Sequence, residues 1–180
     1  MSSSASSLVS LLDGCPCGHP GWKKWEDACI EVLNYLFVPP LSPPKVQCRT
    51  LSGIDIRDAV YPNRNLGGNG NWDRLYQELG ARMILFEFKN YDSQEIGKEE
   101  VIQAREYMRK PMGRLGFLCC NKAPCGAAHT KRNTVYSEDG NVILFLTKEH
   151  LREMLNIKER GEDPSDLIID LLEWFYVEHE

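Results

Sequence analysis

The sequence predicts an α/β protein with a central mixed sheet of four to five strands and helices on both faces. Three observations carry that expectation. Apolar, β-rich runs alternate with segments of helical period, in the order helix, three strands, helix, strand, helix, strand, helices, which is how sheets covered by crossover helices read. Two of the runs, 115–120 and 142–146, suit fully buried strands. The 180 residues, 42% of them hydrophobic, are enough to bury a core without a disulfide scaffold.

Taken in order, residues 22–37 form the first helix, with Trp22, Trp25, Cys29, Val32, Leu33 and Leu36 at helical spacing. Pro39 and Pro40 end it, since proline cannot continue a helix and disfavours it in the residue before. Runs 46–51 and 54–61, with Ser52-Gly53 between them, read as a hairpin, and the Gly- and Asn-rich 62–71 as loop. Residues 72–79 suit a short helix capped by Asn71 and ended by Gly80. The strongest strand signal is MILFEFKN, residues 83–90. A helix over 98–110 closed by Pro111, a strand over 115–120, a helix over 127–137 and a strand over 142–146 follow. A helix over 148–155 takes Thr147 as its cap. The last helix is capped by Asp163, with Pro164 at its first position and Asp166 three residues on, a capping-box spacing. Residues 1–13 are expected to be a flexible Ser-rich leader, leaving 14–180 as a single domain.

No apolar run approaches the ~20 residues of a membrane span, and the N-terminus lacks the basic region of a secretion signal. Most of the seven cysteines are therefore expected to be reduced thiols in a cytoplasmic protein. Net charge is −5, which by itself does not suggest nucleic acid. The charge is uneven, however. Residues 98–132 carry 8 Lys/Arg against 3 Asp/Glu, a net of +5, and residues 149–180 carry 3 against 10, a net of −7. That leaves room for a basic groove on an acidic protein, although on charge alone ordinary solvated helix faces are the favoured reading.

Glu87 and Lys89 are two apart in the apolar strand run, so they share a face. Two ionised groups there are costly unless paired. An edge-strand ion pair would satisfy them. So would a metal site, in which a carboxylate supplies hard oxygen for Mg²⁺ and the neighbouring ammonium stabilises transition-state charge. That chemistry needs a second carboxylate from another strand. Asp58 and Asp55 compete for the role, and their odd spacing lets only one face the site. Asp58 is preferred.

Asp58, then Glu87-Phe88-Lys89, then a helix carrying Gln103 and Tyr107 in QAREY, together resemble the PD-(D/E)xK nuclease superfamily. This is the restriction-endonuclease-like fold, in its RecB- and Mrr-like branch with a QxxxY motif. Glu26 in the first helix, on the face of Ile30, Leu33 and Phe37, matches a position where many members carry a metal-linked Glu. The first motif departs from the family pattern, since Arg57 stands where a Pro is usual. The resemblance implies a Mg²⁺-dependent endodeoxyribonuclease, with Mn²⁺ as a substitute ion. Asp58, Glu87 and the Phe88 carbonyl would be metal ligands, and Lys89, Gln103, Tyr107 and Glu26 would complete the catalytic set. DNA is the implied partner, met by Arg105, Arg109, Lys110 and Arg114. A homodimer, or a place among the subunits of a prokaryotic defence or DNA-processing complex, would fit.

Two alternatives come from other classes. One is an inactive domain of the same fold that binds nucleic acid or protein. The other is a thiol or zinc module built on Cys15, Cys17 and His19, or on Cys119, Cys120, Cys125 and His129, although C-x-C spacing suits structural zinc poorly. His150 and His179 receive no role.

Overall fold

A computed structural model describes residues 4–49, 56–65, 68–108, 110 and 112–179. A five-stranded mixed sheet, ordered β1-β2-β3-β4-β5, forms its centre. The strands are β1 (Lys45–Arg49), β2 (Ile56–Pro62), β3 (Met83–Lys89), β4 (Leu115–Cys120) and β5 (Val142–Thr147). β1, β2 and β3 pair antiparallel, whereas β3, β4 and β5 pair parallel. The helices are α1 (Ala5–Asp13), α2 (Trp22–Phe37), α3 (Asn71–Leu79), α4 (Lys98–Tyr107), α5 (Gly126–Asp139), α6 (Lys148–Glu159) and α7 (Asp166–Glu178). The expected fold class is the one observed.

Strand parity divides the interior in two. Ala59, Tyr61, Ile84, Phe86, Phe88, Phe117 and Leu144 enter one core with α1, α2, α3, α6 and α7. Val60, Leu85, Leu118, Cys120, Ile143 and Phe145 enter another with α4 and α5. The adjacent cysteines follow the same rule, Cys119 facing the first core and Cys120 the second.

Several local expectations change. The Ser-rich start is not a flexible leader but helix α1. Ser4 and Ser7 form a reciprocal capping box, and Leu8 and Leu12 are buried. At the other end of α1, Asp13 pairs with Lys148 at 3.0 Å and with Arg152. α3 begins after Gly70, and the Asn71 amide is spent instead on Ser165 and Asp166. Gly80 ends α3 in a left-handed conformation, φ 59°, as a C-terminal glycine should. α4 stops at Tyr107, three residues earlier than expected. Asp163 accepts from the Ser165 N–H at 2.9 Å, one turn ahead of α7. His150, given no role above, closes a capping box with Thr147 at the start of α6. The Ser52-Gly53 turn and Pro111 lie outside the described residues.

Candidate active site

The β2–β3 ladder runs from Pro62 opposite Met83 to Ala59 opposite Phe86. Just beyond, side chains take over the pairing. The Phe88 N–H donates to Asp58 Oδ2 at 2.9 Å, and the Asp58 N–H donates to Glu87 Oε1 at 3.2 Å. The expected neighbours, Asp58 and Glu87, are thus locked together by the backbone of both strands. The Phe88 carbonyl leaves the strand on the same edge as its N–H, toward Asp58. Asp55, the competing first carboxylate, lies outside the described residues.

α4 covers this end of the sheet and brings the rest of the motif. Lys89 Nζ stands 3.8 Å from Glu87 Oε2 and donates to Gln103 Oε1 at 2.6 Å. Gln103 Nε2 in turn donates to the Tyr107 hydroxyl at 3.1 Å. Helical i, i+4 spacing puts Gln103 and Tyr107 on one face, so the lysine is held by a two-residue relay rather than by a single contact. Arg57 Nε donates to the Tyr107 carbonyl at 3.1 Å, tying β2 to the end of α4.

Glu26, from α2, completes the cluster from the other side. It is buried and accepts from Lys23 at 3.1 Å and from Gln47 Nε2 at 2.9 Å. Gln47 is a site residue that the sequence reading misses. It falls opposite Asp58, between the pairs Val46–Ala59 and Cys48–Arg57, where its amide favours the charged form of the Asp58 carboxylate. Its φ is 51°, a left-handed conformation that costs a non-glycine residue about 1–2 kcal/mol. Glutamine carries no sequence signal for such a backbone, so only the geometry reveals it.

Burial dominates the electrostatics. Glu87 is 1% exposed, and desolvation, followed by the negative charge of Asp58, pushes its carboxyl up to about 8, against the opposing pull of Lys89. Asp58 is also raised, chiefly by burial and by Glu26, although the Phe88 N–H and Lys89 favour its charged form. Two carboxylates facing each other out of water are unfavourable without a cation, and their oxygen donors match a hard divalent ion. Among the described residues, no group of three His, Cys, Asp or Glu side chains is arranged to hold a metal. The oxygens that could face an ion there are those of the Asp58 and Glu87 carboxylates and the Phe88 carbonyl, and so small a set would leave much of the ion's shell to water.

The basic residues are placed differently from the expectation. Arg105 is spent on α5, 2.8 Å from Glu138 and donating to Asp139 Oδ1 at 3.0 Å. Arg114 precedes β4 at the end of the sheet opposite Lys89, because Leu85 pairs with Gly116 and Lys89 with Cys120. It donates to the Glu78 carbonyl at 2.9 Å. Neither arginine borders the carboxylates. Lys110 is exposed beyond α4, and Arg109 lies outside the described residues. No described helix is long and apolar enough to cross a membrane.

No family model matches the chain. It is 27% identical over 167 residues to the transposon gamma-delta 80.3 kDa protein of Escherichia coli K12. The match takes in 89% of this chain but only 23% of that protein's length, so what is similar is one segment of a much longer molecule.

Proposed function

We propose that this domain is a metal-dependent nuclease of the PD-(D/E)xK type that hydrolyses phosphodiester bonds in DNA. The observation that carries the reading is the convergence of Asp58, Glu87, Lys89 and Gln103 at one end of the β2–β3 pair. Asp58, Glu87 and the Phe88 carbonyl would hold Mg²⁺, with Mn²⁺ as substitute. When bound, such an ion lowers the pKa of water and offsets charge on a phosphoryl oxygen. The chain's own part is positioning. Gln103 and Tyr107 fix the Lys89 ammonium beside Glu87, where it can meet a phosphate oxygen without reorganising. Gln47, held by Glu26, stands opposite Asp58 on β1.

DNA as substrate rests on the resemblance, and the transposon name of the relative favours DNA processing as the setting. A role in prokaryotic defence rests on the resemblance alone. One such site cuts one strand, so double-strand cleavage would call for two copies.

A second reading, an inactive domain of the same fold that binds DNA, is favoured by the lack of a third metal-binding side chain among the described residues. One experiment decides between them. Supercoiled plasmid is incubated with the chain and Mg²⁺ or Mn²⁺, alongside Asp58→Asn and Lys89→Ala. The nuclease reading expects nicking by the parent only. Equal nicking by all three, or binding without nicking by the parent, would overturn it.

A further inference from the structure

The first turn of α2 carries a side chain that the chemistry above does not use. Trp22 is 49% exposed, yet it lines the same cleft as Asp58, Lys89, Gln103 and Tyr107. Three residues on, Trp25 is buried, whereas Trp22, at the first position of the helix, is left at the surface. Trp22 and Glu26 are i and i+4, on one face, and Glu26 reaches the Gln47 amide beside Asp58.

The segment before α2 makes Trp22 a fixed rim. Asn90, the residue after Lys89, is buried and donates to the Pro16 carbonyl at 2.9 Å and the Gly18 carbonyl at 3.1 Å. Gly21 lies so close to that segment that a Cβ there would stand 1.8 Å from the Pro16 oxygen. The C-x-C-x-H stretch of Cys15, Cys17 and His19 is thus a strap, anchored to the end of β3, that ends at Trp22.

The charge of the cleft points to what the ring meets. Among the described residues lining it, Lys89 is the cation, held by Gln103; just outside, Lys23 is paired with Glu26 and Asp27 and Arg57 donates to the Tyr107 carbonyl. Arg105 and Arg114 are engaged elsewhere. A duplex gripped through its phosphates draws on several cations. A single strand also needs phosphate contacts, but its unpaired bases add stacking on an aromatic ring, whatever the sequence, which a duplex with its bases already stacked on one another does not offer. We propose that Trp22 is a stacking platform for an unpaired nucleobase beside the phosphate to be cut, so that the substrate is single-stranded DNA or a single-stranded segment. This rests on the nuclease reading above.

The test measures binding of the full chain, in EDTA, to a fluorescein-labelled oligonucleotide as a single strand and as a duplex, by anisotropy over a salt series. The parent is expected to prefer the single strand. Trp22→Ala should weaken that binding about tenfold or more and leave the salt slope unchanged, because no phosphate contact is lost. Trp22→Phe should keep most of the affinity, and Trp174→Ala, also exposed but on α7, should keep all of it. Unchanged binding by Trp22→Ala, equal loss in Trp22→Phe, or a parent that prefers duplex overturns the platform. Parent cleavage of the labelled single strand in Mg²⁺ separates the two claims. If the parent cuts while Trp22→Ala binds normally, only the platform fails. If the parent neither cuts nor binds either form, the nuclease reading fails and the platform with it.

Discussion

The two faces of β3 share a backbone and differ in everything else. Ile84, Phe86 and Phe88 point into the core beneath α2, where Phe86 stacks on Phe117 at 4.7 Å and meets Tyr61 edge-on at 5.1 Å. Leu85, Glu87 and Lys89 point the other way, toward α4. Each buried apolar side chain of the first face contributes roughly 1.5–3 kcal/mol to folding. The second face spends its last two positions on a carboxylate whose charged form burial disfavours and a lysine that a glutamine holds. A buried ion pair is weak evidence for stability. A strand that packs this well on one face has no structural reason to carry the pair on the other, and the conflict marks the site.

Substitutions on the two faces should therefore separate stability from activity. The largest effect is expected from Phe86→Ala, which should lower the unfolding free energy by about 3–5 kcal/mol in a urea titration. Whatever fraction stays folded should cleave at the parental rate. Lys89→Ala should do the reverse. Its urea midpoint should stay near the parent's, while single-turnover cleavage falls on the order of a hundredfold, with the loss in the chemical step.

Gln47→Gly tests the same contrast one strand away. Glycine accepts the left-handed φ without strain but removes the amide that donates to Glu26 and favours the charged form of Asp58. Stability should change by less than about 1 kcal/mol, whereas Mn²⁺ binding, followed by calorimetry, should weaken several-fold. If Gln47→Gly unfolds the protein and leaves Mn²⁺ affinity alone, Gln47 belongs to the scaffold. The smallest effect is expected from Arg105→Ala combined with Arg114→Ala. Both arginines are engaged away from the carboxylates, so DNA affinity and its salt slope should match the parent within error.

What the sequence made legible follows from the range of the interactions. Helix α2, strands β3, β4 and β5, and the facing of Glu87 with Lys89 rest on periodicity, a local property, and they were read correctly. The i, i+4 relation of Gln103 and Tyr107 was local too. The fates of Arg105 and Arg114 were not, because Arg105 finds Asp139 across 34 positions and Arg114 finds Glu78 across 36. A run of basic residues identifies charges without identifying their partners. Helix α1 is hard to see in the sequence because its serines resemble a linker. Its signal was the Ser4–Ser7 cap spacing together with Ala5, Leu8 and Leu12 on one stripe. β1 was legible as a strand, but the left-handed turn of Gln47 within it was not.

The central claim is that Glu87 is buried for chemistry at the expense of stability, and Glu87→Gln tests it most directly. A carboxyl raised to about 8 in the folded chain binds a proton that the unfolded chain has already released above its ordinary pKa near 4.3. Stability of the metal-free parent should therefore fall as pH rises from about 5 toward 8, by up to about 1.4 kcal/mol per unit. Urea midpoints for parent and variant across that range, read beside plasmid nicking in Mg²⁺, give both halves of the answer. The account predicts that Glu87→Gln flattens the pH dependence, is at least as stable as the parent at pH 8, and does not cut. A variant that is less stable than the parent throughout, and still cuts at the parental rate, would contradict it.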